Sequence, residues 1–146
     1  MKIINKKARF NYKLLDRLET GIVLTGPEVK SVKLGHISLA EAYVRIISGQ
    51  LFLLNANINP YKFAPSDDYE PQRSRKLLSS RKQIFHLAQK IETKNLSLVP
   101  TAIYTKGSLI KLEIALARGK QEFEKRETKK KRDSQRQIQK ALKNFK

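Results

Sequence analysis

The stretch Leu109-Ile110-Lys111-Leu112-Glu113-Ile114-Ala115-Leu116-Ala117 decides the fold class. Ile110, Leu112, Ile114 and Leu116 recur at every second position, with Lys111 and Glu113 between them. Side chains of a strand point alternately to opposite faces, so this run reads as a strand with Lys111 and Glu113 on its wet side. Residues 96–104 form another strand, and Lys106-Gly107 between the two is a turn, which makes the pair a hairpin. Nearer the N-terminus, residues 39–47 and 51–58 pair across Ser48-Gly49-Gln50 and stop at Asn59-Pro60. Residues 21–25 are a short apolar run closed by Gly26-Pro27. A first strand is expected at residues 8–14, where Ala8, Phe10, Tyr12 and Leu14 take one face and Arg9, Asn11 and Lys13 the other.

Two segments break this period. Ser80 and Gln83 have capping-box spacing, and Ile84, Leu87, Ala88 and Ile91 follow at helical intervals up to Asn95, which suits a left-handed cap. Pro27 opens a shorter helix through Leu34 that ends at Gly35. Residues 64–74, with two prolines and Asp67-Asp68, read as an exposed loop. About six strands with a helix inserted before the last two predict a mainly β fold, an OB-like Greek-key barrel with flanking helices. Strand count alone also admits an SH3-like barrel or a sandwich.

Residues 118–146 differ from everything before them. They hold twelve Lys or Arg against four acids, a net charge of 12 − 4 = +8. Ile138, Ala141, Leu142 and Phe145 recur there at helical spacing. So little apolar surface cannot offset the entropy of ordering, so this basic tail is expected to be disordered when free and to fold against a polyanion. The expected organisation is a barrel over residues 1–117 and a tail over 118–146.

The whole chain carries 31 basic and 13 acidic residues in 146, a formal charge of +18. That charge points to nucleic acid. A membrane surface fits poorly, because no stretch before the tail combines basic residues with several large apolar anchors. The longest apolar runs, such as Leu51-Phe52-Leu53-Leu54, fall far short of the roughly twenty residues that span a bilayer. Without cysteine there are no disulfides or thiolate metal sites, which fits a reducing cytoplasm, and the start Met1-Lys2-Ile3-Ile4-Asn5 lacks a signal-peptide core. His36 and His86 stand fifty residues apart, in no metal-ligand spacing. Neither a glycine-rich phosphate loop nor a nucleophile elbow is present. The expectation is a non-enzyme with no cofactor and no metal.

Several segments resemble the small protein B family, the SsrA-binding proteins that partner transfer-messenger RNA (tmRNA) in bacterial trans-translation. They are Asn5-Lys6-Lys7-Ala8-Arg9, Gly21-Ile22-Val23-Leu24, Gly26-Pro27-Glu28-Val29-Lys30-Ser31-Val32-Lys33-Leu34-Gly35, Tyr43-Val44-Arg45 and Asn55-Ala56-Asn57-Ile58-Asn59-Pro60-Tyr61. Arg73-Ser74-Arg75-Lys76-Leu77-Leu78, Leu98-Val99-Pro100 and Ala117-Arg118-Gly119-Lys120 complete the set, in the family's order over nearly the whole chain. Gln121, Phe123 and Glu124 depart from the usual tail pattern of the family, as do Glu70 and Ser79 in the body.

The resemblance implies an OB-like barrel that binds the tRNA-like domain of tmRNA, in place of the anticodon arm this RNA lacks, and delivers it to stalled ribosomes. No DNA or membrane partner is expected. Asn5 alone suits a turn, but the resemblance makes it an RNA contact, with Lys7 and Arg9 on phosphates. Glu19 reads as a surface acid paired with Arg17, or, by resemblance, as an acceptor for base amino groups. Arg75, Lys76 and Leu78 combine charge with apolar surface suited to phosphates and unstacked bases, whereas Leu77 is expected in the core. Leu78 and Lys111 match family RNA contacts, and Lys30 and Lys33, within one turn of each other, are expected phosphate contacts. In the tail the resemblance implies that Gly119, Lys120, Phe123, Glu124, Lys125 and Arg126 meet the decoding centre, with Ile138 and Leu142 forming a helical stripe in the empty mRNA channel. The alternative from another class is a general OB-fold ribosomal protein or RNA chaperone without tmRNA specificity; metal-dependent RNA cleavage stands far behind.

Overall fold

The computed structural model describes residues 1–65 and 67–143. In chain order the elements are β1 (Lys2–Ile4), α1 (Lys6–Asn11), β2 (Tyr12–Ile22), α2 (Gly26–Lys33), β3 (Ile37–Ser38), β4 (Tyr43–Ile47) and β5 (Gln50–Leu54). They continue as β6 (Asn57–Ile58), β7 (Arg75–Leu78), α3 (Arg81–Lys94), β8 (Ser97–Lys106), β9 (Leu109–Gly119) and α4 (Glu122–Lys143). The main sheet runs β1-β8-β4-β5-β7-β2-β9, and β8 also pairs with β9. That last pairing closes six strands, β8-β4-β5-β7-β2-β9, into a barrel, with β1 added outside β8. All these pairings are antiparallel. Closure removes the exposed edges that an open sheet would offer to other chains.

The alternation of residues 109–117 holds. Ile110, Leu112, Ile114 and Leu116 are buried, together with Leu51, Leu53, Leu77 and Ile103 from the other staves. Each such side chain contributes roughly 1.5–3 kcal/mol of apolar burial. α3 lays Ile84 and Leu87 on this core. Its start is the expected capping box at Ser80 and Gln83, and its end is Asn95 in the left-handed conformation, φ 52°. The β4–β5 hairpin turns through Ser48 and Gly49, both at positive φ. At the seam between β4 and β8 only Val44 and Leu98 pair. A shallow groove opens there between the strands and the C-terminal half of α3. Pro100, which lacks an N–H, sits where β8 shifts register against β9, a place a ladder tolerates proline.

Four expectations change. Residues 6–11 form α1, and the first long strand starts only at Tyr12. The reason is Asn5: its Oδ1 accepts from the Ala8 N–H at 3.2 Å and caps the helix. Four residues at period two are too few to outweigh that cap. The run at 21–25 is not a strand of its own: Gly21 and Ile22 end β2, and residues 23–25 lead into α2. The stretch 39–47 is strand only from Tyr43, as β4, with the short β3 lying before it, and 51–58 splits into β5 and β6 at Asn55 with φ 60°. β9 continues to Gly119, two residues past the apolar run. Within the tail, Glu122–Lys143 form one helix with no buried residue, and Ile138 and Leu142 lie exposed on it. Phe145 and Ser66 lie outside the described residues. Among the described residues no helix is long and apolar enough to cross a membrane.

Candidate nucleic-acid interface

Strand register carries Glu19, Leu78 and Lys111 onto one face. Leu78 of β7 pairs with Gly21 of β2, Gly21 pairs with Lys111 of β9, and Lys111 pairs with Tyr104 of β8. Paired residues in antiparallel strands point to the same side, so the four form a row across the outside of the barrel. Lys2 of β1 extends it, with Nζ 6.0 Å from the Tyr104 ring centre. Alternation along β7 separates two adjacent leucines: Leu77 is 2% exposed and Leu78 is 52% exposed. The core role for Leu77 and the surface position of Leu78 therefore hold together.

Glu19 stands two residues along β2 from Gly21, on the same face. The Tyr104 hydroxyl donates to Glu19 Oε2, and Lys106 Nζ donates to Oε1 at 3.3 Å. The Tyr104 hydrogen bond, then Lys106 and Lys111, hold the Glu19 carboxyl below the usual carboxylate range against a smaller opposing cost of burial. The same hydrogen bond pushes the Tyr104 phenol up to about 12. The pairing of Glu19 with Arg17 is not formed. Arg17 turns instead to Glu113, with Nη1 3.2 Å from Oε1. Since Glu113 is the direct cross-strand partner of Glu19, Arg17 offsets the repulsion between the two acids.

Asn5 and Arg75, both expected to face RNA, are buried. Asn5 Nδ2 donates to the Leu39 and Pro100 carbonyls at 3.1 and 2.8 Å while Oδ1 caps α1, so the side chain ties three segments together. Arg75 lies on the inward side of β7 and is 0% exposed. Its Nε and Nη2 donate to Glu28 Oε2 at 2.8 and 2.5 Å, and Nη1 donates to the Ala56 and Arg73 carbonyls. Nη2 also reaches the Pro71 carbonyl and the Tyr69 hydroxyl, so no donor is left for a phosphate. Glu28 is the third residue of α2 and closes a capping box with Thr25, while Arg73 meets its other oxygen at 2.5 Å. Burial pushes the Glu28 carboxyl up, but the Thr25 N–H, Arg73 and Arg75 outweigh it and hold it at about 2.

The remaining cations are outside. Lys30 and Lys33 lie exposed in the last turn of α2, and Lys76 is exposed on β7 next to Leu78. Lys7 is exposed and paired with Glu41. Arg9 is half-buried and its backbone carbonyl accepts from Lys120 Nζ at 3.2 Å. Lys120 also donates to Thr128 Oγ1 at 2.8 Å, and Arg118 grips Glu124 at 3.3 Å. The Arg132 guanidinium sits 5.7 Å from the Phe10 ring centre. These contacts lay the first turns of α4 beside α1 and start it at the end of β9, where Gly119 pairs with Tyr12. Phe123 and Arg126 are exposed and Lys125 half-exposed, whereas the Glu124 carboxyl is held below its usual range chiefly by Arg118.

Sequence reasoning missed Tyr104, Lys106 and Gly21. A signal for the first existed: a turn that pairs Lys106 with Leu109 must place Tyr104 opposite Lys111.

Known proteins share the sequence and fold of this chain. The profile of the SmpB protein family matches residues 2–144. An SsrA-binding protein of Chlorobaculum tepidum is 48% identical over 144 residues, covering 98% of this chain and 92% of the relative. One from Mycoplasma mycoides is 45% identical, covering 97% and 95%. A solved chain from a study of tmRNA and SmpB in the bacterial ribosome superposes with a TM-score of 0.69 at 37% identity, over 83% of this chain and 85% of that one. With the match running from the first strand through the last helix, the chain belongs to the SmpB family.

Proposed function

We propose that this chain binds the tRNA-like domain of tmRNA and carries it to stalled ribosomes for trans-translation, acting in the cytoplasm as an RNA-binding protein with no catalytic role. The observation that carries the reading is the convergence of Glu19, Leu78 and Lys111, from three strands, on one outer face in a chain of +18. An acid held ionised inside a basic surface serves base recognition better than bulk attraction, since a carboxylate repels phosphate and accepts from base N–H groups. Lys30, Lys33 and Lys76 supply phosphate contacts around it, with Lys7 and Arg9 farther along the surface. Asn5 and Arg75 serve the site from beneath, by fixing α1 and β7.

Residues 1–117 act as the RNA-binding body and residues 118–146 as the ribosome-binding tail. In the decoding centre Phe123 stacks on a base, a contact contributing roughly 1–3 kcal/mol. Gly119, Lys120, Glu124, Lys125 and Arg126 place it there, and Ile138 and Leu142 present the apolar stripe of α4 to the empty mRNA channel. The tail gains its order on that contact.

The test is to compare the full chain with one ending at Gly119, the last residue of β9. The shortened chain is expected to keep specific binding of the tRNA-like domain, with a shallower salt dependence, and to lose peptide tagging on stalled ribosomes. Efficient tagging by the shortened chain, or loss of its specific RNA binding, would refute this division. Sequencing of co-purified RNA separates it from a general RNA chaperone: one dominant tmRNA is expected, and a broad mixture would favour the chaperone.

A further inference from the structure

Each oxygen of Glu19 has one donor, the Tyr104 hydroxyl on Oε2 and Lys106 Nζ on Oε1. A carboxylate accepts about four hydrogen bonds in all, so each oxygen keeps room for one more. Beside Glu19 on the same face lies Gly21, flanked by Leu78 on one side and Lys111 on the other. A Cβ built on Gly21 would come 3.2 Å from Leu78 Cβ and 3.4 Å from its Cδ1. Any larger residue would therefore crowd Leu78 and fill the gap.

We infer that Gly21 floors a shallow notch that reads one unpaired guanine: Leu78 flanks the ring, Lys111 faces the backbone phosphate, and Glu19, positioned by Tyr104 and Lys106, accepts the guanine N1–H and 2-amino group. The inference deepens the proposed tmRNA reading and rests on it. Guanine is the base that presents two N–H donors side by side, matching the two free acceptor sites of the carboxylate. Adenine and cytosine each set an amino group beside a ring-nitrogen acceptor, which a carboxylate repels. Uracil offers a single N–H between two carbonyls. Tyr104 and Lys106 act through Glu19 and are positioning residues. Glu113, the nearest acid across the ladder, is neutralised by Arg17 and does not push Glu19 out of place.

The experiment titrates the full-length chain against a fluorescein-labelled tRNA-like domain of tmRNA and against an unrelated folded RNA of equal length. Each unpaired guanine of the tRNA-like domain is replaced in turn by inosine, which lacks only the 2-amino group. One inosine is expected to weaken wild-type binding roughly tenfold, within the range for one bidentate base contact. Glu19→Ala should abolish that penalty. Tyr104→Phe should keep the wild-type melting temperature, weaken binding several-fold and shrink the inosine penalty, and the double variant should bind no worse than Glu19→Ala alone. A tyrosine with a purely structural role would leave the penalty at full size. The inference falls if no inosine matters, if Tyr104→Phe leaves the penalty intact, or if the two substitutions add. Should wild type fail to prefer the tRNA-like domain over the control RNA, the proposed function falls first and the notch with it.

Discussion

Two glutamates in this strongly basic chain meet cations in opposite ways. Glu28 is enclosed: Arg75 and Arg73 grip both its oxygens, Thr25 supplies a backbone N–H, and Tyr69 adds its hydroxyl. Glu19 is held from one side, by Tyr104 and Lys106, and its other side faces water. Both carboxyls are held below their usual range. A depressed carboxyl therefore does not by itself mark a binding site. What distinguishes the two is whether acceptor capacity remains for an outside partner. Around Glu28 it is filled by the protein, which makes the cluster a staple joining α2, β7 and the loop before β7. Around Glu19 it is open.

The comparison breaks most sharply at Arg75. Arg75→Met leaves Glu28 buried with a single remaining cation, and removing one partner of a buried pair costs about 3–5 kcal/mol. Out of a total stability of roughly 5–15 kcal/mol this is a large share, read as a fall of about 10 °C or more in the thermal midpoint. Glu28→Gln combined with Arg75→Met should cost less than Arg75→Met alone, because no unpaired buried charge then remains. If Arg75→Met melts like wild type while RNA binding collapses, Arg75 is an RNA contact after all.

Acid sharpens the same contrast. The folded Glu28 carboxyl titrates at about 2, against an ordinary value of 4.5. The folded value is the lower one, so the stabilisation is fully present above pH 4.5 and is lost as pH falls toward 2. That gap corresponds to about 3 kcal/mol. Urea midpoints measured at successive pH values should drop across this window, and Glu28→Gln should flatten the drop. An unaltered pH dependence in Glu28→Gln would show that other carboxylates govern acid unfolding.

How much of this was visible in the sequence depends on distance along the chain. The opposite fates of Leu77 and Leu78 follow from strand alternation alone, and the position of Lys111 from its neighbours Ile110 and Leu112. The caps of α3 were legible because every part lies between Ser80 and Asn95. Arg75 was not, because Arg73-Ser74-Arg75-Lys76 reads as a phosphate-binding run until its partner, 47 residues away, is known. Asn5 failed for a related reason. Its helix cap is local, but the Leu39 and Pro100 carbonyls that make it structural come from remote loops and strands. Glu19 stood out in the sequence as an acid in a strongly basic chain, and only the register across β2, β9 and β8 supplied Tyr104 and Lys106.

The smallest effect on stability and the most informative one on binding belong to Glu19→Arg. The side chain lies at the surface, so the thermal midpoint should stay at the wild-type value. The formal charge rises from +18 to +20, since one acid becomes one base. If RNA were held by bulk attraction alone, every RNA would bind more tightly, and low salt would enlarge the gain. If Glu19 accepts from a base edge, an arginine there presents donors to donors, beside Lys106 and Lys111. Affinity for the tRNA-like domain should then fall roughly tenfold or more while affinity for unrelated RNA rises. Filter binding of both RNAs at two salt concentrations checks this. A tighter complex with the tRNA-like domain would erase the difference drawn between the two glutamates, leaving Glu19 one more acid paired with its neighbours.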